Sequence, residues 1–173
     1  MQNLKSLLKN KFTNAKRVVV LGVGSDLRGD DIAGILVAQK IEAFQKKIGE
    51  RKRLKVLLGF TAPENFTGDI KRFAPTHLIV VDSAEIKKAP GDVVLLDPQT
   101  VGGMTFSTHS LPLKIMTDYL LIDLKCEILI IGIQPKTLHY GSPVSGEVKK
   151  SAEAVARIIN ATLKSSLKFG KKS

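Results

Sequence analysis

Three polar side chains fall where an apolar run gives way to a polar or helical pattern: Asp31, Asp82 and His109. A carboxylate that closes a buried strand lies at the carboxyl edge of a parallel sheet, where open α/β proteins bind ligands. Two carboxylates and one imidazole make an open, borderline-to-hard donor set. It suits a transition-metal ion with positions left for a substrate. His109 stands just before a helix expected to open at Ser110. The helix dipole there disfavours the imidazolium and favours the neutral ring, the form that binds metal. Each residue also has a plainer reading. Asp30 and Asp31 suit an N-cap and a first-turn charge, Asp82 a loop cap, and His109 a helix start. His77 and His139 are read as structural, and Cys126 as apolar filler.

The elements that must position these groups can be read from periodicity. Val18 to Leu21 is a β-branched run without alternation, as expected of a strand covered on both faces. Gly22, Gly24 and Gly29 follow in a loop, and a helix is predicted from about Asp30 to Lys47. Leu54 to Leu58 reads as a second strand, and Thr61-Ala62-Pro63-Glu64 as a helix start capped by Thr61. His77 to Asp82 is a third strand. Asp92 to Leu96 is a fourth, and the link of about ten residues before it is too short for a helical crossover, so it is expected to run antiparallel. A loop rich in Gly, Ser and Thr leads to His109, and a helix with Leu113, Met116, Tyr119, Leu120 and Leu124 inward follows. Glu127 to Ile133 is a fifth strand, and Val144 to about Leu167 the last helix. The prediction is an α/β fold: a three-layer α/β/α sandwich around a mostly parallel, twisted five-stranded sheet with one antiparallel strand. Residues 1–173 are expected to form a single domain, with an N-terminal helix over 1–16 and a frayed tail over 168–173.

The bulk composition excludes more than it identifies. The chain has 173 residues, 43% hydrophobic and 25% charged, with one cysteine. No apolar run reaches the roughly 20 residues of a membrane span, and Lys5, Lys9 and Lys11 interrupt any signal-like segment. A single cysteine excludes an internal disulfide and points to the cytoplasm. The net charge of +11 invites a nucleic-acid reading, but aromatic residues are only 5% and tryptophan is absent. Neither a stacking platform nor a base-reading helix is visible, so neither nucleic acid nor membrane is expected as a partner. The familiar motifs are missing as well. Gly22-x-Gly24 lacks the third glycine of a dinucleotide site, and there is no Walker lysine, G-x-S-x-G elbow or H-E-x-x-H.

Four segments, in this order, carry a family resemblance: Gly22-Val23-Gly24-Ser25 through Gly29-Asp30-Asp31, Val80-Val81-Asp82-Ser83-Ala84, Thr108-His109-Ser110-Leu111-Pro112-Leu113, and Ile131-Gly132-Ile133-Gln134-Pro135. Together with Ala62-Pro63-Glu64-Asn65 they resemble the nickel–iron hydrogenase maturation endopeptidases, most of all the hydrogenase 3 maturation protease type. The resemblance covers roughly Val18 to Val148. It implies an aspartic-type peptidase domain that removes a C-terminal extension from the hydrogenase large-subunit precursor once nickel is in place. The metal would belong to the substrate, with no organic cofactor and a monomeric enzyme. The residues matching the family's nickel contacts are Asp31, Asp82 and His109. Asp31 and Asp82 would do the chemistry, and Gly59 and His109 would contact substrate. Two positions depart from the family pattern. Ser25 replaces an asparagine, and Leu58-Gly59-Phe60 stands where the family has Asp-Gly-Gly.

Overall fold

The computed structural model describes residues 2–96, 98, 105–106 and 110–167. His109, most of the loop before it and the tail 168–173 lie outside the described residues. The elements in order are α1 (Gln2–Lys11), β1 (Val18–Val23), a 3₁₀ turn (Gly29–Ile32), α2 (Ala33–Ile48) and β2 (Leu54–Phe60). A second 3₁₀ turn (Pro63–Phe66), α3 (Thr67–Phe73), β3 (His77–Glu85), β4 (Val93–Leu96) and β5 (Thr105–Phe106) follow. The chain closes with α4 (Ser110–Asp123), β6 (Glu127–Ile133) and α5 (Gly146–Ser166).

The five main strands form a sheet in the order β2-β1-β3-β6-β4. All neighbours are parallel except β4, which runs antiparallel to β6 as its short link requires. The two-residue β5 was not foreseen. It pairs with Ala84 and Glu85, which carries β3 past the expected end at Asp82. The chain leaves β1 toward β2 and then returns to the other side of β1 to build β3. The crevice between β1 and β3 is therefore the switch point of the sheet.

Alternation along the strands divides the core into two layers. Val18, Val20, Ile79, Val81 and Ile131 pack under α1, α2 and α5. Val19, Leu21, Val80, Ala84 and Ile130 pack under α3 and α4 with Ile70, Met116 and Leu120. Leu4, Leu8 and Phe12 dock α1 on the first layer, and each such buried side chain stabilises by about 1.5–3 kcal/mol. The helix stops at Lys11, short of the expected residue 16. His77 is buried against Phe12, with ring nitrogens 3.0 Å from Thr76 Oγ1 and from the Lys11 carbonyl oxygen. It is a structural histidine at the amino edge of the sheet.

Two local expectations are corrected. Thr61 does not cap; Ala62 holds the N-cap position without a side-chain hydrogen bond, because the chain enters a 3₁₀ turn there rather than an α-helix. Tyr119 faces outward, since Lys71 donates to its hydroxyl at 3.0 Å and lies 4.7 Å over its ring.

Candidate functional site

The carboxyl edge at the switch point is built by close backbone packing. Gly34 opens α2 directly against the sheet. A Cβ there would lie 2.0 Å from the Val81 carbonyl oxygen and 2.4 Å from that of Val23. Gly24, at φ +138°, leaves equally little space: a Cβ would meet the Asp31 carbonyl oxygen at 1.8 Å. These contacts seat the 3₁₀ turn, and Asp31 with it, onto the ends of β1 and β3.

The adjacent carboxylates Asp30 and Asp31, both fully buried, divide their work. Asp30 accepts three backbone hydrogen bonds, from Lys136 at 2.8 Å, Thr137 at 3.2 Å and Ser145 at 2.7 Å. It clamps the loop between β6 and α5 to the turn after β1, a structural task that satisfies a buried charge. Asp31 instead faces the sheet, where the Ser83 hydroxyl donates to its Oδ1 at 2.8 Å. Asp82, also fully buried, accepts the Ser83 backbone N–H at 2.8 Å. Consecutive strand residues point to opposite faces. Ser83 thus reaches Asp31 on the α2 side, while Asp82 projects toward the layer that α4 covers.

The structure brings Asp31 and the Asp82-Ser83 pair together at one sheet edge. The third residue of the set, His109, lies outside the described residues; α4 begins directly after it. Among the described residues no group of three or more His, Cys, Asp and Glu side chains is arranged to hold an ion. A cavity of about 450 Å³ bounded by Leu7, Leu121 and Cys126 lies at the opposite end of the sheet. It has no part in this site.

Gly59 sits in a bulge. Gly22 pairs with Leu58 and Val23 with Phe60, so Gly59 is skipped. A Cβ on it would crowd Leu21 at 2.9 Å and the Gly22 carbonyl at 3.1 Å. Phe60 then takes φ +46°, a left-handed conformation suited to the glycine that the resembled family carries there. Its carbonyl accepts the Gly24 N–H at 3.0 Å and so ties β2 to the loop after β1. Ser25 is buried, and its hydroxyl accepts the Leu27 N–H at 3.2 Å, a local turn bond of the kind asparagine also makes.

Gln134 holds the edge from the far side, a role the motif reading did not foresee. Its side-chain oxygen accepts from the Ile86 N–H at 2.9 Å and the Lys88 N–H at 3.3 Å, fixing the chain as it leaves β3. Beside it Lys136 and Glu147 pair at 2.7 Å. The partner's hydrogen bond holds the Glu147 carboxyl below its usual range and the Lys136 ammonium above its own. Both side chains are exposed, so the pair contributes little to stability.

The residue pattern of one protein family, described as hydrogenase maturation protease, matches residues 38–162. A Methanocaldococcus jannaschii protein carrying that family's name is 35% identical over 159 residues, which span 90% of this chain and 94% of the relative. The hydrogenase 3 maturation protease of Escherichia coli K12 is 34% identical over 138 residues, 79% of this chain and 85% of the relative. The crystal structure of a NiFe hydrogenase maturation protease, HycI, from Thermococcus kodakarensis superposes with a TM-score of 0.81. That likeness covers 91% of this chain and 99% of the other at 32% identity.

Proposed function

The chain belongs to the hydrogenase maturation protease family, an endopeptidase family acting in hydrogenase maturation, and from that premise we propose how its own residues act. The substrate is the hydrogenase large-subunit precursor with nickel already inserted, and the bond cut releases a C-terminal extension. The nickel arrives with the substrate. Asp31, Asp82 and His109 are the groups that meet it, so that a precursor without metal is not cut. Cleavage is of the aspartic type: a carboxylate of the Asp31–Asp82 pair takes a proton from the attacking water as general base.

The observation that supports this reading is the hydrogen bond from the Ser83 hydroxyl to Asp31. It joins the first carboxylate to the residue beside the second, in a buried setting. There the Ser83 hydroxyl and backbone N–H each donate to a carboxylate and fix its orientation before substrate arrives.

Leu58 favours a second reading. It stands where the family has an acid, which admits a protein that docks loaded precursor without cutting it. Precursor processing followed on a gel, with nickel-loaded and nickel-free substrate, separates the two. The parent protein should cut only the loaded form, Asp82→Ala should abolish cutting, and Leu58→Asp should change rate or precursor choice only modestly. If the parent binds loaded precursor uncut and Leu58→Asp restores cutting, the peptidase assignment is wrong.

A further inference from the structure

Three loops meet at the carboxyl edge, and each displays one large apolar side chain to solvent. Leu27, after β1, is 54% exposed; Phe60, ending β2, is 38% exposed; Tyr140, between β6 and α5, is 78% exposed. On the first loop Ser25 and Gly29 are buried and on the second Gly59 is, while Asp26, His139 and Gly141 are exposed beside Leu27 and Tyr140.

The loops are bound to one another. The Gly24 N–H donates to the Phe60 carbonyl at 3.0 Å and the Gly141 N–H to the Leu27 carbonyl at 2.8 Å. Asp30 holds the third loop through Lys136, Thr137 and Ser145. Two residues, Ser25 and Asp26, separate Gly24 from Leu27, so Phe60 lies no more than roughly 18 Å from Leu27 even with that chain extended. Tyr140 adjoins the residue bonded to Leu27. Phe60 is held in a left-handed conformation that a glycine or asparagine would adopt without strain. Strained backbone retained beside a site points to use of the side chain it aims.

We infer that Leu27, Phe60 and Tyr140 form an apolar docking rim for the folded body of the precursor. The inference rests on the proposed substrate. The rim adjoins Asp31 through Gly24, so a protein presenting its scissile segment to the carboxylates must cover these three side chains. Its breadth suits a patch on a protein surface rather than a single side chain or a small ligand. Recognition thus has two independent parts: the rim reads the precursor's surface, and the carboxylates read its metal.

The test uses the triple variant Leu27→Ser, Phe60→Asn, Tyr140→Ser, with asparagine chosen because it tolerates the conformation at residue 60. Nickel-loaded and nickel-free precursor are titrated against the immobilised protein, and cleavage of the loaded form is timed. The dissociation constant should rise at least about tenfold for both forms. KM should rise by a similar factor with kcat within about twofold, the signature of lost ground-state binding. The control Ile115→Ser, Ile122→Ser removes comparably exposed apolar side chains from α4 and should change neither quantity. Thermal melts establish that each variant is folded. If the triple variant is not, the three single variants carry the same comparison.

Unchanged binding in the folded rim variants overturns the inference. So does an effect confined to the loaded form, a loss in kcat instead of KM, or an equal loss in the α4 control. A parent protein that binds neither form overturns both the rim and the proposed substrate. A parent that binds both forms but cuts neither sinks the peptidase reading and leaves the rim standing.

Discussion

Gly34→Ala is the sharpest test of how the site is assembled, because two effects of opposite sign compete at one position. Alanine in place of glycine inside a helix stabilises by about 1 kcal/mol through backbone entropy. Against that, the new methyl carbon would lie 2.0 Å from the Val81 carbonyl oxygen and 2.4 Å from that of Val23, where real contacts stay above 3.0 Å. The start of α2 must therefore retreat by about 1 Å, since both obstacles are backbone in a packed sheet and cannot swing aside. Overpacking of this kind costs about 3 kcal/mol, which leaves a net loss of about 2 kcal/mol. For a chain of this size that lowers Tm by roughly 4–8 °C. Asp31 lies three residues upstream and moves with the helix. Its 2.8 Å bond from Ser83 would stretch to about 3.8 Å, beyond hydrogen-bond range. A displacement of about 1 Å at a reacting group costs on the order of 100-fold in rate. Differential scanning calorimetry and timed processing of nickel-loaded precursor read the two effects. Gly68→Ala in α3 is the control: its nearest neighbour is the movable end of Arg72 at 3.4 Å, so stability should hold or rise. If Gly34→Ala melts at or above the parent temperature and still processes precursor, the close-packing account of the site is refuted.

Asp30→Ala should destabilise by about 3 kcal/mol, because three backbone donors lose a charged acceptor. Urea unfolding would show it, and Asp30→Asn should recover part of the loss. The Lys136–Glu147 pair fixes a pH window. Glu147 is held below its usual value of 4.5, so its contribution is whole above that pH and disappears as pH falls through the lowered value. The Tm difference between parent and Lys136→Gln should accordingly be present at pH 7 and shrink as the pH is taken below 4.5. Burial pushes the Cys126 thiol up, so in native protein at pH 7 it should react with a disulfide reagent about tenfold or more slower than in denaturant.

Much of the architecture is legible in the sequence because three strands are buried on both faces. β1, β6 and the Leu78–Val81 part of β3 are continuous apolar runs, rich in β-branched residues and too short for a helix. The antiparallel β4 follows from chain length alone. What periodicity could not supply was set by contacts between distant segments. The end of β3 depends on β5 pairing with Ala84 and Glu85. The expected helix start at Asp30 is instead a 3₁₀ turn, with α2 beginning at Ala33. Tyr119 faces outward because Lys71, nearly fifty residues earlier, offers it a partner. At the site, placing Asp31 and Asp82 at one edge needed only the strand ends and the crossover rule. The roles of Asp30, Ser83 and Gln134 were hidden, because Asp30 and Gln134 act through backbone groups on other segments and Ser83 through a carboxylate 52 residues away.

The clamp made by Asp30 also sets an order of events during synthesis. Its three donors lie 106, 107 and 115 residues downstream, so the turn that carries Asp31 cannot be fully secured from the first half of the chain. A ribosome that has released β1, β2 and β3 has made the strands that flank the switch point and the bonds at Phe60 and Ser83, but none of the donors to Asp30. Closure of so long a loop is entropically slow, and it becomes favourable only after β6 and the start of α5 have emerged. The carboxylate edge is thus among the last parts of the molecule to set. A chain cut short before Ser145 would carry both aspartates and leave the turn that holds them incompletely fastened.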